Sequence, residues 1–162
     1  MLVMGIDPGT ATTGYGLVRD IETGPELVAY GVVLTPAHTP MSERLVIIYR
    51  ELTALIKLHQ PDSAAVEKLF FQRNVSTAMT VGQARGVALL ALAQAGVRVG
   101  EYTPREVKQA VAGYGGAAKP QIQQMVRAIL NLSDIPKPDD AADALAVAIC
   151  HLHSMKLKAL TE

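Results

Sequence analysis

Apolar positions change their period several times along the chain, and each change marks an element. Residues 2–7 form a short apolar run of strand character, closed by Asp7. Gly14-Tyr15-Gly16-Leu17-Val18 and the stretch from Leu27 to Leu34 read as two further strands with turn residues between them. This predicts an antiparallel meander. After Pro36 and Pro40, Ser42 is the expected cap of a helix whose apolar positions Leu45, Ile48, Tyr49, Leu52, Leu55 and Ile56 follow helical spacing and which ends near Gln60-Pro61. Ala64-Ala65-Val66 is then a short buried strand closed by Glu67, and a second helix is expected from Ser76 to Gln94. Val97-Arg98-Val99-Gly100 predicts another strand. Thr103-Pro104 opens a helix with a capping residue followed by proline at its first position. The glycines of Gly113-Tyr114-Gly115-Gly116 read as a connection able to close over a ligand. Residues 120–132 predict a helix, and Asp139-Asp140 starts a last one running to about His153. Strands first, then strands alternating with helices, indicate an α/β domain with a mixed sheet.

A length of 162 residues fits one domain, taken as residues 1–154 with a C-terminal tail at 155–162. The opening residues do not look like a leader, and no window is expected to approach the roughly 18 apolar residues of a membrane span. A cytoplasmic location without membrane attachment follows as the expectation. The single cysteine, Cys150, lies in an apolar run and is read as packing. Net charge is zero, yet its distribution is uneven. From Lys68 to Arg127 there are eight basic and two acidic residues, a local +6 balanced by −6 elsewhere. Such a pattern suits a protein that holds a polyanion beside an acidic cluster.

That acidic cluster is the chemistry the chain advertises. Asp7 and Glu67 each end a strand, and Asp140 and Asp143 lie one turn apart at the start of the last helix. If the strands of Asp7 and Glu67 pair in parallel, both carboxylates come to one sheet edge, and the helix has only to pack there for all four to meet. Four close carboxylates repel one another unless hard cations lie among them, and oxygen-only ligation suits Mg²⁺ or Mn²⁺. Metal-assisted phosphodiester chemistry is the leading idea. Asp139 is assigned only to capping the helix. His38 and His59 lie beside prolines, and His151 and His153, two apart on a helix, do not share a face for chelation. Small residues Ala78, Gly82 and Gly86 lie four apart on one helical face and form the candidate subunit interface.

Taken together, Gly5-Ile6-Asp7-Pro8-Gly9, Gly14-Tyr15-Gly16, Val66-Glu67, Gly82-Gln83-Ala84-Arg85-Gly86, Val107-Lys108-Gln109 and Asp140-Ala141-Ala142-Asp143-Ala144-Leu145-Ala146 resemble the bacterial RuvC-type Holliday-junction resolvases. The resemblance spans nearly the whole chain. It implies a ribonuclease H-like α/β fold with a mixed five-stranded sheet and helices on both faces. It further implies a homodimer that nicks a four-way DNA junction in symmetric pairs, with two Mg²⁺ or Mn²⁺ ions per active site. The catalytic and metal-binding carboxylates it carries over are Asp7, Glu67, Asp140 and Asp143. Phe70 matches an aromatic near the junction centre, Lys108 and Lys119 match basic residues on the DNA path, and Arg73 matches a position some relatives use for junction contacts. Some relatives have histidine where this chain has Asp140. A branch-migration motor is the implied protein partner.

The expected reaction is in-line attack of water on a phosphodiester, leaving 5′-phosphate and 3′-hydroxyl ends. Three rivals stand against it. A nucleotide-binding ATPase with a similar Gly-Ile-Asp-Pro-Gly-Thr loop needs two lobes, for which this chain is short. A non-catalytic binding scaffold gives no reason to retain four acids that repel phosphate. A ribosomal-RNA-processing nuclease is disfavoured by the matches at Phe70, Lys108 and Lys119.

Overall fold

A computed structural model describes residues 1–69 and 74–161. Five strands, β1 (Leu2–Asp7), β2 (Thr12–Ile21), β3 (Gly24–Leu34), β4 (Ser63–Glu67) and β5 (Arg98–Tyr102), form one sheet in the order β3-β2-β1-β4-β5. The first three strands make the predicted antiparallel meander, whereas β1 pairs with β4 and β4 with β5 in parallel. Interspersed are α1 (Met41–His59), α2 (Val75–Gln94), α3 (Pro104–Ala112), α4 (Lys119–Ile129) and α5 (Asp139–Thr161). Helices cover both faces. One core layer joins Met4, Ile6, Leu17, Ala64 and Val66 of the sheet to Ile48 and Leu52 of α1 and Ala84, Ala88 and Leu92 of α2. The other joins Val3, Val18 and Ala65 to Val107 of α3, Val126 of α4 and Leu145, Ile149 and Leu152 of α5. Successive strand residues point to opposite faces, so Met4 and Ile6 go to the α1/α2 side while Val3 and Gly5 go to the α5 side.

Several boundaries differ from the sequence expectation for identifiable reasons. The N-cap of α1 is Pro40, not Ser42, and no side chain caps it. The Pro40 carbonyl, fixed by the ring, accepts the Glu43 and Arg44 amides instead. The last helix continues past His153 to Thr161, because Met155-Lys156-Leu157-Lys158-Ala159-Leu160 consists of strong helix formers with no breaker. β5 is displaced toward Tyr102, where the Thr103 side chain and the Glu106 carboxylate complete a capping box for α3. By length and composition α2 is apolar enough to cross a membrane, contrary to the expectation of no such window. One face of it packs in the core through Ala84, Ala88, Ala91 and Leu92, and only 28% of that window is buried.

α5 lies unusually close to the sheet. Gly5 and Gly16 face each other across β1 and β2, and Gly14 faces Asp7. A Cβ on Gly5 would stand 2.0 Å from the Ala144 carbonyl oxygen, one on Gly16 2.5 Å from Leu145 Cδ2, and one on Gly14 2.0 Å from the Asp140 carbonyl oxygen. This row of three glycines is a trough in which the helix backbone rests, and it sets where the first turn of α5 sits.

Candidate active site

Asp7 ends β1 on the face that α5 covers. Its cross-strand partner is Gly14, on whose bare Cα the Asp140 main chain lies. Helical spacing then brings Asp140 and Asp143 to the same end of the sheet. Parallel pairing of Ile6 with Val66 places the end of β4 alongside, so Glu67 follows Val66 onto the α5 face. The turn after Asp7 is held by Thr13, whose hydroxyl accepts the Gly9 N–H at 3.3 Å and donates to the Gly9 carbonyl at 2.6 Å. Thr13, rather than the Asp7 carboxylate, thus performs the turn-stabilising work.

The electrostatics reflect this convergence. Burial, followed by the charges of Asp143, Asp140 and Glu67, pushes the Asp7 carboxyl up to about 7, against a smaller lowering by Lys119. Glu67 is raised by burial and by Asp143 and lowered by Lys108. Asp143 is also raised, chiefly by burial, while Lys119 opposes the rise. Lys119 Nζ stands 3.4 Å from Asp143 Oδ2 and 3.3 Å from Asp139 Oδ2. A cleft of about 330 Å³ is lined by Glu67, Asp143, Lys108, Lys119, Val107 and Ile122, among others. Among the described residues, no three His, Cys, Asp or Glu side chains are drawn into a group that would hold a metal ion as they stand.

Other expectations are sorted by the same geometry. Asp139 is the first residue of α5 and binds Lys119 and the Gln123 side-chain amide at 3.1 Å, instead of capping the helix. The Pro138 carbonyl takes the Ala141 and Ala142 amides. His151 is buried; its Nε2 meets the Ser63 hydroxyl at 3.0 Å and its Nδ1 the Tyr102 hydroxyl at 2.7 Å. Burial lowers its pKa. Cys150 packs in the core, its thiol pushed up to about 11 by burial. Ala78 is buried within the chain and Gly82 faces Leu69, so the small-residue face is partly used internally. Gly86, with nothing within 4 Å of a Cβ built on it, remains open and shares its helical face with the exposed Val75, Met79 and Leu90, at 68%, 60% and 50% exposure. Phe70 and Arg73 lie outside the described residues. Arg85, which the sequence reading left without a role, pairs with Glu101 and reaches the Glu67 main chain.

A family model described as "Crossover junction endodeoxyribonuclease RuvC" matches residues 3–151. The chain belongs to the RuvC family. A RuvC-family protein of Desulfitobacterium hafniense, named crossover junction endodeoxyribonuclease RuvC, is 63% identical over 97% of this chain and 95% of its own length. A protein of the same name from Syntrophomonas wolfei is 57% identical, covering 100% of this chain and 94% of its own. The Thermus thermophilus RuvC structure in complex with Holliday junction substrate superposes with a TM-score of 0.92 at 40% identity, over 98% of this chain and 96% of that one. The ribonuclease H-like fold is thereby the RuvC fold.

Proposed function

We propose that this chain resolves four-way DNA junctions in recombination and repair, hydrolysing one phosphodiester in each of two strands of like polarity. The observation that carries the reading, beside family membership, is the register that rests Asp140 on Gly14 directly opposite Asp7, with Glu67 on the adjoining strand. No nucleophilic side chain is needed: water is the attacking group, and the products are 5′-phosphate and 3′-hydroxyl ends.

The residues fit a divalent cation. All donors are carboxylates, burial and then their mutual charge raise Asp7 to about 7, and Lys119 supplies a compensating ammonium. Asp7, Glu67, Asp140 and Asp143 would hold two Mg²⁺ or Mn²⁺ ions, which supply an activated water and a counter-charge for the leaving oxygen. The chain contributes the rest. Lys108 and Lys119 line the same cleft as Glu67 and Asp143 and would hold the scissile phosphate there. Lys119, 3.4 Å from Asp143 Oδ2, also offsets the acidic side chain beside it. The glycine trough lets the first turn of α5 lie close enough to the sheet for Asp140 and Asp143 to reach the end of β1. Phe70, as a base-stacking wedge, and Arg73, as a backbone contact, are carried into this proposal from the sequence.

A homodimer gives the paired cuts, since two-fold protein symmetry then matches the near two-fold symmetry of the junction. Its interface is assigned to the exposed Val75, Met79 and Leu90 stripe of α2. Met79→Asp is expected to give monomers in sedimentation at micromolar concentration and to replace paired cuts by sparse single nicks; a dimeric variant making paired cuts would move the interface elsewhere. A branch-migration motor is the expected partner, and the cytoplasm, where chromosomal DNA recombines, the expected location.

A further inference from the structure

We propose that Arg85 is a positioning residue for Glu67, holding from the opposite face of the sheet the piece of main chain that aims this carboxylate into the cleft. The inference rests on the proposed role of Glu67 as a metal ligand and adds a residue from a different layer of the fold.

The argument begins with the end of β4. The Lys68 N–H donates to the Tyr102 carbonyl at 2.7 Å, so it points toward β5. In a planar trans peptide the carbonyl of the same unit points the other way. The Glu67 carbonyl is therefore directed toward β1, just past the last β1–β4 pair, Ile6 with Val66. In a parallel ladder the next donor on that side would be the amide at position 8, and this is Pro8, which has no N–H. The ladder thus leaves this carbonyl without a donor at a partly buried place, where an unpaired backbone acceptor is unfavourable. Arg85 fills the gap, its Nε–H donating to the Glu67 oxygen at 3.4 Å.

The other end of the same guanidinium is fixed too. Arg85 Nη2 stands 2.9 Å from Glu101 Oε1, with the arginine side chain only 19% exposed. Glu101 is the register partner of Val66, so one side chain from α2 spans the ends of β4 and β5. Two directions at once, acceptor and carboxylate, are what a rigid planar fork supplies and a lysine ammonium does not. Since Val66 belongs to the α1/α2 core layer and Glu67 turns to the α5 side, Arg85 acts on the Glu67 main chain and leaves the carboxylate free for the cleft. A smaller cleft of about 250 Å³ beside it is lined by Asp7, Pro8, Glu67, Lys68, Leu69 and Arg85, among others, so the arginine borders the same strand ends as the two acids. α2 also carries the stripe assigned to the second subunit, so its seating is transmitted through Arg85 to Glu67.

Arg85→Met, Arg85→Lys and Glu101→Gln in the full chain test this, with Glu67→Gln in parallel. Three quantities are read: Mn²⁺ binding to DNA-free protein by calorimetry, single-turnover cleavage of a four-way junction by saturating protein, and junction affinity in Ca²⁺. Outer partners of metal ligands typically contribute about 10–100-fold. Arg85→Met is accordingly expected to weaken Mn²⁺ binding about 10-fold and slow cleavage by about 10–100-fold, with junction affinity within about twofold of the parent and partial recovery of rate at high Mn²⁺. Arg85→Lys should recover only part of the loss. Should Arg85→Met fail to fold, Glu101→Gln decides, with about threefold weaker Mn²⁺ binding expected in a folded protein. Parental Mn²⁺ affinity in the folded Arg85 or Glu101 variants, with Glu67→Gln impaired, overturns the role of Arg85 alone. Parental Mn²⁺ binding and cleavage in Glu67→Gln overturns the reading of Glu67, and this inference with it.

Discussion

Asp7→Asn is expected to reduce junction cleavage by about 10³-fold or more while leaving junction affinity near the parental value, and at the same time to stabilise the metal-free protein. The two halves have one cause. Asp7 is largely buried where the fields of Asp143, Asp140 and Glu67 overlap, and burial first, then those charges, raise its carboxyl from 3.8 to about 7. A group whose pKa is higher folded than unfolded weakens the fold as it ionises. The penalty begins as pH rises past the unfolded value near 4 and is complete above about 7. A shift of this size corresponds to about 4 kcal/mol, of which solvent at the mouth of the cleft screens a large part, leaving about 1–2 kcal/mol. In EDTA at pH 8 the asparagine variant should therefore melt about 2–8 °C above the parent, and at pH 4 the difference should vanish. Adding Mn²⁺ should stabilise the parent far more than the variant. A variant that cleaves normally, or melts lower than the parent at pH 8, would remove Asp7 from the centre of the site.

Gly14→Ala should inactivate without touching a single ionisable group. The added Cβ would stand 2.0 Å from the Asp140 carbonyl oxygen, 2.4 Å from its carbon and 3.0 Å from the Ala141 nitrogen, all main-chain atoms of α5. Main chain in a packed helix does not swing aside as a flexible side chain does, so the first turn of α5 must retreat by about 1 Å. Overpacking of this kind costs about 1–3 kcal/mol, and misplacing catalytic groups by about 1 Å costs about 100-fold in rate. The expected outcome is a folded protein with a lowered melting temperature, near-parental junction affinity and single-turnover cleavage slower by about 100-fold. Gly116→Ala is the matched control, because its Cβ would find only Tyr114, at 3.8 Å. Parental cleavage by Gly14→Ala would show that the glycine trough does not set the position of Asp140 and Asp143.

Much of this arrangement is legible in the sequence, because it rests on local signals. Asp7 and Glu67 each end a short apolar run, and Thr103-Pro104 followed by Glu106 is a helix start written in side chains. What was not legible depends on register. Gly14 matters because it pairs with Asp7, and Arg85 because Pro8 falls where the ladder would supply an amide. His151 finds its partner Ser63 at a separation of 88 residues, beyond the reach of any local pattern. Periodicity also fails on α2, whose residues are small or apolar nearly all round. Ala78, at one edge of the small-residue face, is buried against the chain itself, while Gly86 stays open on the same face as the exposed Val75, Met79 and Leu90. The strands β2 and β3 extend beyond the predicted segments because paired neighbours carry Arg19, Asp20 and Glu26 into the ladder despite their polarity.

The most direct test of the account is strand cleavage of a synthetic four-way junction beside linear duplex DNA and single-stranded RNA, each with Mg²⁺, Mn²⁺ or EDTA. Symmetric paired nicks in the junction alone, in either metal and lost in EDTA, are the predicted result. Tight junction binding with no cut in either metal, or cleavage confined to RNA, would contradict it.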